Sequence, residues 1–109
     1  MKKIVLLIAM LTPFFSSASE VDSTISYVRV DDNGNGLIEF TNALISPSSC
    51  THVAWQRHYS FDLKTEAGRA IYSLALTAHA SNKKIRAYGK GQCLQYIDAV
   101  ESWAHGFIY

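Results

Sequence analysis

The most specific spacing for chemistry lies in residues 31–42, which read DDNGNGLIEFTN. Oxygen ligands for a calcium ion would come from Asp31, Asn33, Asn35 and Glu39. Gly36 supplies the sharp turn of an EF-hand loop, but Asn42 stands where a bidentate glutamate normally closes that loop. The flanking residues also have strand composition rather than helix composition. We therefore predict a tight Asn-Gly hairpin turn here, with calcium as the weaker alternative and no cofactor elsewhere.

Catalytic and transition-metal chemistry find little support among the other polar residues. The chain has four histidines, His52, His58, His79 and His105. No two of them have the close helical spacing of a zinc pair. Ser60, His58 and Asp62 fall on one face of a predicted strand, but no nucleophile motif surrounds them. The sequence therefore predicts a protein that is not an enzyme and holds no resident metal.

Aromatic residues are more informative. Six tyrosines and two tryptophans exceed what a core of this size needs. Exposed aromatic rings provide contact area for sugars or proteins at low entropy cost. We assign four aromatic residues to the core: Trp55, Tyr59, Phe61 and Trp103. The predicted ligand-binding residues are Tyr27, Tyr88, Tyr96 and Arg86.

The amino-terminal residues have the pattern of a secretory signal. Lys2 and Lys3 precede an apolar run at 4–15, and small residues follow it up to Ala18. The run is shorter than the roughly 20 apolar residues that span a bilayer, so no stable membrane insertion is expected. We predict a signal peptide at 1–18 and a single exported domain at 19–109, either periplasmic or secreted.

Charge gives the exported domain no affinity for nucleic acid. Without Lys2 and Lys3, the ten basic residues become eight against nine acidic residues, so the formal charge is about −1. The only basic cluster contains Lys83, Lys84, Arg86 and Lys90. We assign it to a solvated strand edge, with an anionic glycan or lipid head group as the alternative.

The two cysteines, Cys50 and Cys93, are predicted to form one disulfide, because oxidising compartments favour that state. A redox or metal role is disfavoured, since there is no Cys-x-x-Cys pair and no histidine near Cys93. The bridge would close a long loop and stabilise a domain too small to depend on its core alone.

Five strands and one helix are predicted to position these residues. Residues 24–30 and 37–41 form a hairpin around the Asn-Gly turn. Further strands follow at 53–63, 84–88 and 100–109. In the last of these, alternation places Trp103, His105, Phe107 and Tyr109 on one face. Apolar residues at three- and four-residue steps predict a helix at 66–81, capped by Thr65 or Asp62 and ended by Asn82.

The order β-β-β-α-β-β is the connectivity of a five-stranded OB-like barrel, which belongs to the mainly β class with one helix (α+β). Closure into a barrel would also protect the sheet edges. A two-layer α+β sandwich is the alternative architecture.

Two resemblances bear on function. Residues 68–86, GRAIYSLALTAHASNKKIR, followed by Gly91-Gln92-Cys93 and Glu101, resemble small exported bacterial proteins of unassigned function that share the Cys, helix, Cys pattern. The helix, the basic strand and the nearby cysteine also resemble, in topology, the OB-fold B subunits of AB5 toxins of the subtilase cytotoxin type. This resemblance implies a binding subunit, and none of those subunits' sugar-contacting motifs can be placed here.

Two non-enzymatic functions follow from these observations. The first is an exported binding module that recognises a glycan or a protein, as a monomer or a homo-oligomer. The second is a periplasmic inhibitor or immunity-type protein that binds one partner protein.

Overall fold

The computed structural model describes residues 18–109, so the predicted signal peptide lies almost entirely outside the described residues. The elements in chain order are β1 (Glu20–Ser23), β2 (Ile25–Val30), β3 (Asn35–Phe40), a 3-10 helix (Val53–Trp55), β4 (His58–Asp62), α1 (Glu66–Ser81), β5 (Ile85–Gly89) and β6 (Trp103–Ile108). The described part of the chain is mainly β with one α-helix, as predicted. No helix among the described residues is long and apolar enough to cross a membrane.

The strands form two antiparallel three-stranded sheets, in the orders β1-β5-β6 and β2-β3-β4. The described residues thus contain six strands, not five, and two sheets rather than one closed barrel. The additional strand arises because Thr24 alone separates β1 from β2, and each of these strands pairs in a different sheet. Of three isolated bridges in the described residues, Glu20 with Ile45 and, in parallel, Ser60 with Ser102 join distant segments, and Tyr96 with Val100 is local.

The helix has the predicted bounds because both ends are capped locally. The Thr65 hydroxyl accepts a hydrogen bond from the Gly68 N–H at 2.9 Å. Asn82 adopts the left-handed conformation with φ of 54°, and its N–H bonds to the last helical carbonyls. Ala75 and Ala78 are fully buried, and their small side chains let α1 pack closely on β2 and β4.

The core lies between the helix and the inner faces of both sheets. It contains Val21, Ile25, Ile38, Phe40, Leu44, Tyr59, Phe61, Ala75, Ala78, Ile85, Ala87 and Trp103. Edge-to-face contacts join Tyr59 to Phe40 and to Trp103, with ring centroids 5.5 and 6.1 Å apart. Of the four aromatic residues assigned to the core, Trp55 lies outside it, half-buried against His58.

The predicted strand at 53–63 is shorter than expected. Its first part is the 3-10 helix, because the His52 side chain accepts a hydrogen bond from the Ala54 N–H and turns the backbone. β4 then begins at His58, and both of its faces are buried. The alternation of the sequence here reflects a strand covered on two sides, not a strand with one solvated face.

The segment between β5 and β6 covers the outer side of β3 and β4. The Gln95 carbonyl accepts a hydrogen bond from the Asn35 amide at 3.2 Å, and the Gln95 side chain accepts one from Ser60 at 3.2 Å. The Cys50–Cys93 disulfide, with a sequence separation of 43, ties this segment to the connection before β4. The predicted disulfide is therefore present, and it is a bond favoured in oxidising compartments.

Candidate functional site

The strongest candidate site is the outer face of the sheet β1-β5-β6. Because successive strand residues point to opposite sides, the burial of Val21, Ile85 and Ala87 places their neighbours outside. We call this surface the aromatic face; it consists of Glu20, Asp22, Arg86, Tyr88, His105, Phe107 and Tyr109. Phe107 and Tyr109 are 48% and 59% exposed.

Strand pairing arranges the aromatic face in two rows. One row runs Glu20, Tyr88, His105, and the rings of Tyr88 and His105 stack with centroids 4.6 Å apart and planes 19° apart. The other row runs Asp22, Arg86, Phe107. Because each ring of the stack covers one face of the other, the outer ring faces and the ring edges lie beside the polar groups. Such a surface suits a ligand with both apolar faces and hydroxyl groups.

The aromatic face carries one ion pair, formed by Arg86 and Asp22. Arg86 donates to the Asp22 carboxylate at 3.0 Å, and the Tyr109 hydroxyl donates to the same carboxylate. The bond from Tyr109, followed by the bond from Arg86, lowers the pKa of Asp22, and the bond to Asp22 raises the pKa of Arg86. Asp22 thus stays ionised to a lower pH than an ordinary aspartate and offers acceptor oxygens beside the rings.

A bulge in β6 explains why Trp103 does not lie on the same face as His105, Phe107 and Tyr109, although the sequence predicted that it would. The pairing of β5 with β6 shifts between Tyr88 and Gly89, so Gly89 lies opposite Trp103. The predicted face of Trp103, His105, Phe107 and Tyr109 is therefore wrong for Trp103, which is 5% exposed and packs in the core. The bulge inserts one extra residue and reverses the alternation at this point.

The structure brings together only two of the four predicted ligand-binding residues, Arg86 and Tyr88. Tyr27 lies on the other sheet, and its hydroxyl bonds the His58 ring nitrogen at 3.0 Å. Tyr96 donates to Asp31, and burial raises the pKa of Tyr96 to about 12. Both hydroxyls have intramolecular partners, which the sequence does not reveal.

The sequence analysis did not assign a ligand role to five members of the aromatic face: Glu20, Asp22, His105, Phe107 and Tyr109. The alternation of 103–109 identified three of them as sharing a face. The signal missing from the sequence was the pairing partner of β6, since only the neighbour β5 shows that these rings adjoin Arg86 and Tyr88.

The calcium candidates in the β2–β3 turn already have other partners. Asp31 accepts from Arg29 at 2.9 Å, and the Asn33 side chain accepts from the Asn35 N–H at 3.0 Å. Glu39 faces His58, with the carboxylate 3.5 Å from the ring nitrogen. The described residues contain no group of three or more acidic, histidine or cysteine side chains arranged to hold a metal.

Ser60, His58 and Asp62 each bond a different partner. The Ser60 hydroxyl donates to the Glu101 carbonyl at 3.2 Å, whereas Asp62 accepts from the Lys64 N–H at 2.9 Å. His58 bonds Tyr27. These bonds hold the strand and its turn in place and do not form a proton relay.

A cleft between β4, the start of α1 and β6 is the second candidate. Its volume is about 260 Å³, and it is lined by Asp62, Thr65, Gly68, Lys90, Gln95 and Ser102 among others. This volume is below the roughly 300 Å³ at which ligand pockets begin. Its lining contains one acidic residue, Asp62, and one basic residue, Lys90, so the charge of the cleft favours neither anionic nor cationic ligands.

His58 should make the fold sensitive to mild acid. Burial lowers the pKa of His58, which is 5% exposed. Below about pH 6.5, His58 binds a proton in the unfolded chain but stays neutral in the folded chain. The free energy of unfolding is therefore highest above about pH 6.5 and declines below it. We expect the melting temperature to fall less between about pH 7 and pH 5 in His58→Gln than in the natural chain.

Thermal melts across this pH range test the expectation, with His79→Gln as the control for removing a histidine that the fold leaves exposed. An identical acid-induced loss in His58→Gln and the natural chain would show that His58 is not the group responsible.

Comparison with protein-family models, with curated proteins and with solved structures finds no match to this chain.

Proposed function

We propose that this chain is an exported, non-enzymatic binding module whose aromatic face recognises a glycan. The observation that carries the proposal is the stacked Tyr88–His105 pair beside the Arg86–Asp22 ion pair on one exposed sheet face. Aromatic rings pack against the apolar faces of sugar rings, and the guanidinium and carboxylate bond the hydroxyl groups. Export follows from the predicted signal peptide and agrees with the disulfide.

The proposed architecture is an OB-like barrel, in which β1 and β2 form one bent strand. Thr24 alone separates them, and the parallel bridge between Ser60 and Ser102 joins β4 to the start of β6. The helix α1 lies between β4 and β5, as in the predicted connectivity. These features favour the barrel over the two-layer sandwich.

Removal of one ring from the aromatic face should weaken glycan binding. We expect Tyr88→Thr and Phe107→Thr each to lower affinity by about tenfold, since one aromatic contact contributes roughly 1.5 kcal/mol. Threonine keeps strand propensity, so the melting temperature should change little. A glycan array screened with labelled protein would identify the ligand, and calorimetry would then measure each affinity.

The matched control is Ile97→Thr, which removes an apolar side chain that is 79% exposed and lies away from the aromatic face. It should bind the same glycan as the natural chain does. An array with no glycan above background, or equal affinity for the natural chain and Tyr88→Thr, would contradict the proposal.

A periplasmic inhibitor or immunity-type protein is the second candidate, favoured by a separate surface. Val53, Leu94 and Ile97 are 73%, 53% and 79% exposed on two connecting loops, of which the one before β4 contains the 3-10 helix. The disulfide and the bond from the His52 N–H to the Ala99 carbonyl hold these loops side by side. Exposed apolar groups are typical of protein interfaces. A partner protein lost in Ile97→Thr but retained by Tyr88→Thr would favour this candidate.

The toxin-subunit resemblance adds a proposal about assembly. Native mass spectrometry of the exported chain should give a ring-sized oligomer, such as a pentamer, if the chain assembles as those subunits do. A monomer with an intact disulfide would contradict the assembly proposal. The glycan-binding proposal would still be tested by the glycan array.

A further inference from the structure

Glu101 is a carboxylate buried inside the fold, and no described basic side chain lies within ion-pair distance of it. It is 0% exposed. Oε1 accepts from the Ser19 hydroxyl at 2.6 Å and from the Ser48 N–H at 3.4 Å. Oε2 accepts from the Gly91 N–H at 2.9 Å and from the Ser19 N–H at 3.4 Å. The ion pairs among the described residues use Asp22, Asp31, Asp62 and Glu39 instead.

A buried carboxylate surrounded by neutral donors lacks a counter-charge. Transfer of an ionised carboxylate out of water is strongly unfavourable unless an opposite charge compensates it. Gly89 packs directly on this group, since a Cβ there would overlap Glu101 Oε2. The site therefore has no room for a lysine or arginine side chain from β5.

Each polar atom of Ser19 forms a hydrogen bond in or beside this site. It is 1% exposed, and its carbonyl accepts from the Gly89 N–H at 3.0 Å. Its hydroxyl lies 2.8 Å from the Tyr59 hydroxyl, which donates to it because the single Ser19 proton goes to Glu101. Its nitrogen faces Glu101. The preceding residue, Ala18, is exposed.

We propose that Glu101 is the buried counter-ion for the amino terminus that signal removal creates at Ser19. Hydrolysis breaks the bond between the Ala18 carbonyl carbon and the Ser19 nitrogen. Water supplies the hydroxyl group to Ala18 and one proton to the Ser19 nitrogen, which gives an amine. The new Ala18 carboxyl group releases a proton and the amine takes one up, so the amine becomes an ammonium. That charge forms 3.4 Å from Glu101 Oε2. The inference rests on the predicted cleavage after Ala18 and is independent of glycan binding.

Processing by the signal peptidase thus completes the folded domain. An amide at Ser19 offers one N–H, whereas the ammonium offers three and a full positive charge. The pairing raises the pKa of the amine when folded, so its stabilisation is full below about pH 8 and is lost as the pH rises through the folded value. The chain is therefore most stable once it has been exported and cut.

A double-mutant cycle tests the proposal. The full chain is exported with its signal peptide in four forms: natural, with one glycine inserted between Ala18 and Ser19, Glu101→Gln, and both changes. Intact mass should show the natural chain beginning at Ser19 and the insertion beginning one glycine earlier. We expect the insertion and Glu101→Gln to be coupled by at least tenfold in the unfolding equilibrium constant.

Asp32→Asn is the control, since it neutralises an exposed carboxylate on the β2–β3 turn and should combine additively with the insertion. A natural chain that begins at another residue, or additivity of the insertion with Glu101→Gln, would overturn the inference.

A second measurement covers the case in which Glu101→Gln does not fold. Reductive methylation should modify the amino-terminal amine of the natural chain at least tenfold more slowly than that of the glycine-inserted chain. Equal rates would overturn the inference, whatever the outcome of glycan binding.

Discussion

Replacement of both Cys50 and Cys93 by serine is expected to lower the free energy of unfolding by about 4 kcal/mol. The bridge closes a loop with a sequence separation of 43, and its loss returns the corresponding conformational freedom to the unfolded chain. Net stability of small domains is about 5–15 kcal/mol, so the double variant should be close to unfolding at 37 °C. Chemical denaturation of the natural chain and the variant measures the difference.

The effect should be concentrated in the segment between β5 and β6. Besides the disulfide, this segment is attached by hydrogen bonds such as that from the His52 N–H to the Ala99 carbonyl at 2.9 Å. In the variant, hydrogen exchange should become faster there before it changes in α1, which has its own caps. Reductant added to the natural chain should reproduce the loss, and a melting temperature insensitive to reductant would contradict the argument.

Gly68→Ala is expected to destabilise the protein by roughly 3 kcal/mol, although alanine is the better helix former. Gly68 lies in the first turn of α1, where its missing side chain lets the helix contact the end of β4. A Cβ at this position would overlap the Asp62 carbonyl oxygen. That oxygen also accepts from the Thr65 hydroxyl at 2.9 Å, so the clash would disturb the helix cap as well.

Ala70→Gly is the matched control, because Ala70 is an exposed position of the same helix. It should cost about 1 kcal/mol, the ordinary propensity difference between the two residues. The two substitutions exchange the same pair of residues in opposite directions, and both should destabilise. A more stable Gly68→Ala protein would mean that α1 does not contact Asp62 as described.

Several features of this protein follow from its sequence because they depend on neighbours along the chain. Thr65 and Asn82 determine the ends of α1 through their own caps, so the helix bounds are predicted correctly. The turn before Asn35 follows from its glycine and asparagine residues, and Gly34 has a φ of 91°. The cysteine pair also follows, since only two cysteines are present.

Features that depend on distant pairing were decided by the tertiary structure. Residues 20–23 have mixed polarity and form β1 only because they pair with β5. Trp103 turns into the core because of a bulge, and Trp55 lies in a 3-10 helix capped by His52. In each case the local sequence allows more than one conformation, and contacts across the fold select one of them.

The candidate site divides in the same way. Aromatic content and strand alternation predicted that some tyrosines face outward, and Tyr88 and Arg86 of the predicted residues share the aromatic face. They did not show that Asp22 and Tyr109, 87 positions apart in the chain, meet beside Arg86. Nor did they show that Glu101 lies buried against Ser19. The sequence by itself determined the local elements and the residue types available for binding; the tertiary structure decided which of them are neighbours, because strand pairing joins residues far apart in the chain.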